Sequence, residues 1–209
     1  MVTLRKIGLL SIPLTFVLAG VGMIWLLRVE NASGLFFDKL ISNRSDWLGA
    51  HVILLLSTVF LLPAAISIRL TLQHRIVGKI ATGLVVVIAL TSVLLAGQYA
   101  IDFVMPLLAD AGGEAIQVHG MLYNTPLIDT LFYKLPNMVF LALFLLTCSL
   151  FWKKNMPNKI TIVLLINWLL VLIGNLIDPL FQRIAIAFLA FSFVPFVYFI
   201  WKHDRQVVG

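Results

Sequence analysis

Long apolar stretches separated by short polar segments dominate the pattern of this sequence. A helix that crosses a membrane needs about 20 mostly apolar residues. Six stretches of roughly this kind occur, at residues 7–27, 48–68, 80–105, 135–152, 160–177 and 184–201. The pattern therefore predicts an all-α integral membrane protein, with residues 1–209 forming a single domain built as a bundle of six transmembrane helices.

The charges between these stretches predict how the helices are oriented. Lys and Arg are in excess at the N-terminus, at residues 69–79, at residues 153–159 and at the C-terminus, whereas the intervening segments also carry Asp and Glu. Cytoplasmic loops are the ones that carry an excess of Lys and Arg. The alternation therefore predicts that the N-terminus and the C-terminus are both cytoplasmic. The first apolar run is too long for a cleaved signal peptide, so we expect it to be a retained helix.

Composition narrows the class of protein further. The chain is 61% hydrophobic and only 11% charged, whereas a soluble domain carries about 25% charged residues. Lipid must therefore be the solvent for most of the molecule. The formal net charge of +6 comes from residues spread over short loops, which indicates orientation in a membrane and no nucleic-acid partner. The compact build favours the inner membrane of a bacterium as the location.

Polar side chains occur at one depth on three of the predicted helices. They are His51 on the second span, Gln98 and Asp102 on the third, and Asn175 and Asp178 on the fifth. Counting a rise of about 1.5 Å per residue from the cytoplasmic ends places all five near the outer boundary of a hydrocarbon layer about 30 Å thick. Ionisable groups at such a depth are costly, so they are the candidates for a functional site.

The spacing of these residues puts them on single faces of their helices. Asp102 follows Gln98 by four residues, and Asp178 follows Asn175 by three, so each pair shares a face. Lipid cannot satisfy polar groups, and the faces should therefore point towards protein. If they converge, they form an outward-facing polar pocket, over which His119 of the long outer loop could close.

Two further sets of residues have simpler interpretations. Thr91 and Asn167 lie deeper on the same helix faces, and we expect them to bond to neighbouring helices. Aromatic residues near the span boundaries, Trp47 and Tyr133 among them, are typical of an interfacial belt.

Three functions fit such a chain. The leading hypothesis is a multi-pass protein that binds or carries a small amphiphilic molecule or a lipid in the outward-facing pocket. The second is an outer-leaflet membrane enzyme, a hydrolase or transferase, in which His51 is a general base or metal ligand and Asp102 orients it. The third is an accessory subunit of a larger membrane complex. Close packing of copies into a homo-oligomer is compatible with the small residues Ala96 and Ala100.

Missing motifs disfavour most cofactors. Neither a phosphate-binding loop nor a dinucleotide fingerprint occurs, and no nucleophile elbow or H-E-x-x-H motif is present. A haem held by two histidines needs both within spans, and His51 alone lies in one. The single cysteine, Cys148, excludes a Cys-based zinc site. Zinc bound by His51, His119 and an aspartate is chemically allowed, but no short-range spacing supports it. We therefore predict no metal site and no cofactor.

Overall fold

Helices make up all the regular structure in the described part of the chain. The computed structural model describes residues 2–72, 74–110, 117–118, 120–121, 124–154 and 156–206, apart from the side chains of 2–6, 152–154, 175 and 203–206. In chain order the helices are α1 (Val2–Glu30), α2 (Phe36–Ser42), α3 (Arg44–Leu70), α4 (Arg75–Asp110), α5 (Pro126–Asp129), α6 (Met138–Cys148), α7 (Asn158–Ile177) and α8 (Pro179–Gln206). A π-helical turn (Thr130–Lys134) and a 3-10 turn (Leu135–Asn137) join α5 to α6, and a second 3-10 turn (Ser149–Lys154) follows α6.

Five helical segments in the described ranges are long and apolar enough to cross a membrane. They are Ile7–Glu30, Arg44–Leu70, Arg75–Asp110, Pro126–Phe151 and Pro179–Lys202. They correspond to the first four predicted spans and the sixth. The fifth predicted span falls on α7, whose apolar helix over Asn158–Gly174 is shorter. An all-helical, multi-pass membrane protein is therefore confirmed as the class, while the count of six spans and the cytoplasmic termini stay predictions.

The long helices form a closed ring in chain order. α1 packs against α3, α3 against α4, α4 against α6, α6 against α7, and α7 against α8, which returns to α1. Glycines set the close approach of α1 to α3, since a side chain at Gly8 would meet Ser67 and one at Gly22 would meet Leu54. The start of α1 therefore lies beside the end of α3, and the two helices are antiparallel.

Aromatic rings fill the middle of this ring of helices. Phe16 of α1 stacks on Phe193 of α8 with the ring centroids 5.4 Å apart, and it meets Trp168 of α7 edge to face at 5.8 Å. Trp168 is fully buried and donates its Nε1–H to the Thr147 hydroxyl of α6 at 3.1 Å. Side chains from four helices thus pack together in the centre of the bundle.

The short helix α2 covers one end of the bundle, which we call the α2 end. Leu40 of α2 is fully buried in a small apolar cluster with Val29, Trp47 and Met105. Phe36 meets the Trp47 ring edge to face, with the centroids 6.1 Å apart. His51 and Asp102, which both contact Trp47 of this cluster, lie beneath this cover.

Candidate functional site

Two of the predicted site residues meet directly at the α2 end. His51 of α3 and Asp102 of α4 are both buried, and the imidazole Nε2 lies 3.8 Å from the carboxylate Oδ2. This separation is that of an ion pair rather than of a hydrogen bond. The side chains are only 3% and 12% exposed, so their charges and hydrogen bonds must be satisfied by each other and by neighbouring protein groups. The polar faces of α3 and α4 therefore converge.

The contacts of His51 determine where its protons lie. Its Nδ1 is 2.8 Å from the carbonyl oxygen of Trp47, one helical turn earlier. A carbonyl oxygen only accepts, so Nδ1 carries a hydrogen. In a neutral imidazole Nε2 would then be an acceptor facing a carboxylate, which is an acceptor too. The contact is favourable only when the pair holds one proton, either on His51 or on Asp102.

Tyr133 supplies a second partner for the Asp102 carboxylate. Its hydroxyl donates to Oδ1 at 3.2 Å. Tyr133 lies in the π-helical turn, where the Leu135 N–H bonds to the Thr130 carbonyl five residues back. Pro136 follows at once and has no N–H for a regular α-helical bond, which accounts for the wider turn. Such π-turns are rare and are found frequently at functional sites.

Trp47 links His51 to Asp102 through the backbone. Pro106 lies four residues after Asp102 within α4 and has no N–H, so the Asp102 carbonyl loses its usual helical donor. The indole N–H of Trp47 donates to this carbonyl at 2.6 Å. The Trp47 ring also lies over His51, with the ring centroids 4.3 Å apart. One side chain thus satisfies the carbonyl that the proline leaves open and covers the imidazole.

Tyr99 closes the site towards the middle of the bundle. Its buried ring meets the His51 ring edge to face, with the centroids 6.2 Å apart. A cavity of about 10 Å³ lies against Tyr99 and is lined by Thr15 and Ser57 among apolar side chains. This is about the space that one water molecule needs.

The other predicted ligand-binding residues are placed differently. Gln98 lies one turn before the carboxylate on α4 and is half-buried. Asp178 is exposed, and its Oδ1 accepts the Leu180 N–H at 2.6 Å, so it caps the start of α8. His119 and the side chain of Asn175 lie outside the described residues. The structure thus joins residues from two of the three predicted helices.

The deeper polar residues bond within the bundle. Asn167 donates from Nδ2 to the Ser192 hydroxyl on the neighbouring helix α8 at 3.2 Å, as its position predicts. Thr91 instead donates to the Val87 carbonyl of its own helix at 2.8 Å. The prediction of a bond to a neighbouring helix is therefore confirmed for Asn167 and wrong for Thr91.

No group of three or more His, Cys, Asp or Glu side chains in the described ranges is arranged to hold a metal ion. The pair of His51 and Asp102 provides two possible ligands, and the third residue of the zinc set considered from the sequence, His119, lies outside those ranges. What the arrangement offers chemically is a buried proton site walled by aromatic rings.

Sequence reasoning misses Trp47 and Tyr133 as site residues because aromatic side chains at the end of a span usually form an interfacial belt. A usable signal does exist. Trp47 precedes His51 by four residues and Asp102 precedes Pro106 by four, so a proline-freed carbonyl and an indole lie at the same depth. Comparison with protein-family models, with curated proteins and with solved structures finds no match to this chain.

Proposed function

We propose that this protein crosses the membrane six times, with both termini in the cytoplasm, and binds or carries a small amphiphilic molecule or a lipid at its α2 end. The observation that carries the binding proposal is the buried pair of His51 and Asp102, which needs a proton to be favourable. Ionisable side chains within a membrane segment are expensive and mark a site for ions or ligands by default. We propose a bacterial inner membrane as the location because few of the described residues lie outside the helices.

The length of α7 supports six spans. It has 20 residues, and a rise of about 1.5 Å per residue gives about 30 Å, the thickness of the hydrocarbon layer. With six spans, both termini lie on the side opposite the α2 end. Ten of the 15 Lys and Arg residues belong to that side, which is the bias expected of a cytoplasmic face.

Single cysteines test this orientation. In a Cys148→Ser background, a membrane-impermeant maleimide applied to intact cells should label Ser33→Cys, in the α1–α2 loop. It should label Thr71→Cys, in the α3–α4 loop, only after the cells are opened. Labelling of Thr71→Cys in intact cells would contradict the proposed orientation.

Native mass spectrometry of the protein, purified gently from its own membrane, tests the binding proposal. We expect an added mass of a lipid-sized molecule that is lost in His51→Ala and in Asp102→Ala. Circular dichroism must show that both variants keep the helical content of the parent. An added mass retained by both variants would place the binding elsewhere, and a co-purifying protein chain in its place would favour the accessory-subunit function.

The enzymatic alternative fits the geometry less well. Nδ1–H of His51 is engaged by the Trp47 carbonyl and Nε2 faces Asp102, so neither nitrogen is open to a substrate proton while these contacts hold. Turnover that is lost in His51→Ala with the fold intact, or a tightly held metal ion in the mass spectrum, would favour the enzyme.

A further inference from the structure

We infer that the amphiphile bound at the α2 end is a cation of the alkylammonium class, which displaces the proton held by the pair of His51 and Asp102. The inference rests on the proposed binding function and specifies the charge of the ligand. At a pH at which the pair holds one proton, the pair is neutral before binding. After binding, His51 is neutral, the Asp102 carboxylate balances the ammonium, and one proton has left to solvent. The exchange is electroneutral at the site.

The first support is that no basic side chain in the described ranges neutralises Asp102. The Lys and Arg residues at the α2 end have other partners: Arg28 is 3.9 Å from Asp46, Arg44 is 2.6 Å from Asp110, Arg183 is 2.8 Å from Glu30, Lys39 donates to the Glu30 carbonyl at 2.8 Å, and Lys134 pairs with Asp129. The carboxylate therefore relies on the proton of the pair, and another monovalent cation can take that place.

The second support is the set of groups that face the pair. The Trp47 ring faces the pair from α3, the Tyr133 hydroxyl faces it from the π-turn, and Tyr99 faces it from α4. The charged residues of α2 are engaged elsewhere, since Asp38 accepts the Leu35 N–H at 3.3 Å and Lys39 binds the Glu30 carbonyl. Trp and Tyr rings attract a cation that lies against their faces, and the Trp47 ring lies over His51 with the centroids 4.3 Å apart. An anion at the same place would instead be repelled by the buried carboxylate.

The third support is the charge distribution along the chain. Apart from Asp102 itself, the described segments at the α2 end carry five basic and six acidic residues, whereas those at the other end carry ten basic and one acidic. An end of net negative charge concentrates cations at its surface and repels anions. The electrostatic field at the entrance to the site thus favours cations, as the Asp102 carboxylate does within the site.

Access to the pair requires movement of its cover. α2 has only seven residues, and it is held by the small cluster around Leu40 rather than by the main core. Such a segment opens locally at a lower free energy than the bundle. The alkyl tail of the ligand would lie along the lipid-facing side of α4, where Val104 and Leu107 are exposed.

Calorimetry with amphiphiles of equal chain length tests the inference. The protein is placed in nanodiscs of phosphatidylglycerol, whose headgroup carries no ammonium, and titrated, below the micellar concentration, with dodecyltrimethylammonium, dodecyl maltoside or dodecyl sulfonate. Repeating the titration in buffers of different ionisation enthalpy counts the protons released. We expect saturable binding of the ammonium alone and, at a pH at which the pair holds its proton, release of one proton for each ion bound.

Two Asp→Asn variants of α4 complete the experiment. Asp102→Asn should weaken ammonium binding by about tenfold or more, which is about 1.4 kcal/mol, and should abolish the proton release. Asp110→Asn removes the same charge from the same helix but at an exposed ion pair, and it should weaken binding far less than Asp102→Asn and leave the proton release unchanged. Equal binding of the sulfonate, or unchanged ammonium binding by a folded Asp102→Asn variant, would overturn the inference and leave the binding function standing. The binding function itself fails only if native mass spectrometry also finds no bound molecule.

Discussion

Replacing Trp47 with Phe tests whether Pro106 and Trp47 act together to build the site. The substitution keeps an aromatic ring beside His51 but removes the indole N–H. The Asp102 carbonyl, which Pro106 has already deprived of a backbone donor, then loses its partner at 2.6 Å. If the two features are linked, the cost of Trp47→Phe must depend on whether residue 106 is a proline.

The expected magnitude follows from the burial of that carbonyl. An unsatisfied buried acceptor costs about 1–3 kcal/mol, while hydrogen bonds between membrane helices average about 0.6 kcal/mol and reach about 1.7. Since no backbone donor can replace the indole, we expect a loss of about 1.5 kcal/mol in the free energy of unfolding. Pro106→Ala restores the N–H to the helix, and in that background the same change should cost about 0.5 kcal/mol, a coupling of about 1 kcal/mol.

Four proteins form the double-mutant cycle: the parent, Trp47→Phe, Pro106→Ala and the double variant. Their unfolding in mixed micelles titrated with dodecyl sulfate is followed by far-UV circular dichroism, because the substitution itself changes the fluorescence. Trp25→Phe is the matched control, since the Trp25 indole donates to the Asp46 side chain at 2.7 Å and not to a proline-freed carbonyl. Its cost should be the same in both backgrounds. Costs of Trp47→Phe that agree within about 0.3 kcal/mol in the two backgrounds would refute the link.

Two further predictions use the same unfolding assay. Gly20→Ala would place a Cβ 2.5 Å from the Cβ of Ala187, so it should lower the free energy of unfolding by about 1–3 kcal/mol by overpacking the contact between α1 and α8. In the control Gly83→Ala, the new Cβ meets nothing within 4 Å, and the free energy of unfolding should rise by up to about 1 kcal/mol. Equal effects at both positions would contradict this packing. Tyr133→Phe removes the donor to Oδ1 of Asp102 and should cost about 0.5–1.5 kcal/mol, whereas unchanged stability and unchanged ammonium affinity would show that the hydroxyl does not support the carboxylate.

Much of the fold follows from one-dimensional properties of the chain. Whether a stretch crosses a membrane depends on its length and its apolar content, which neighbouring helices do not alter. The rise per residue similarly places His51 and Asp102 at one depth from sequence position alone, and the structure brings them to 3.8 Å. The span at residues 160–177 is harder to judge, because its apolar helix is short.

The details of the site depended on the order and rotation of the helices in space. Hydropathy does not encode which faces meet, since many arrangements bury a similar apolar area. Asp178 and Asp102 look alike in sequence, yet one caps a helix and the other meets an imidazole. In the sequence alone, Trp47 and Tyr133 occupy positions typical of an interfacial belt. Their contacts with the site become visible only when α3, α4 and the π-turn are placed in space.

The sequence by itself determined that this is a multi-pass helical membrane protein, and it predicted polar side chains at one depth on three of the helices. Tertiary structure decided the closed ring of helices, the cover formed by α2 and the partnership of His51 with Asp102. The physical reason is that each span forms because its own side chains are more stable in lipid than in water. A site instead requires side chains from different helices to lie within a few ångströms of one another. These contacts depend on how the helices pack at positions such as Gly8 and Gly22. The effect of a glycine there depends on which side chain of the neighbouring helix lies opposite it.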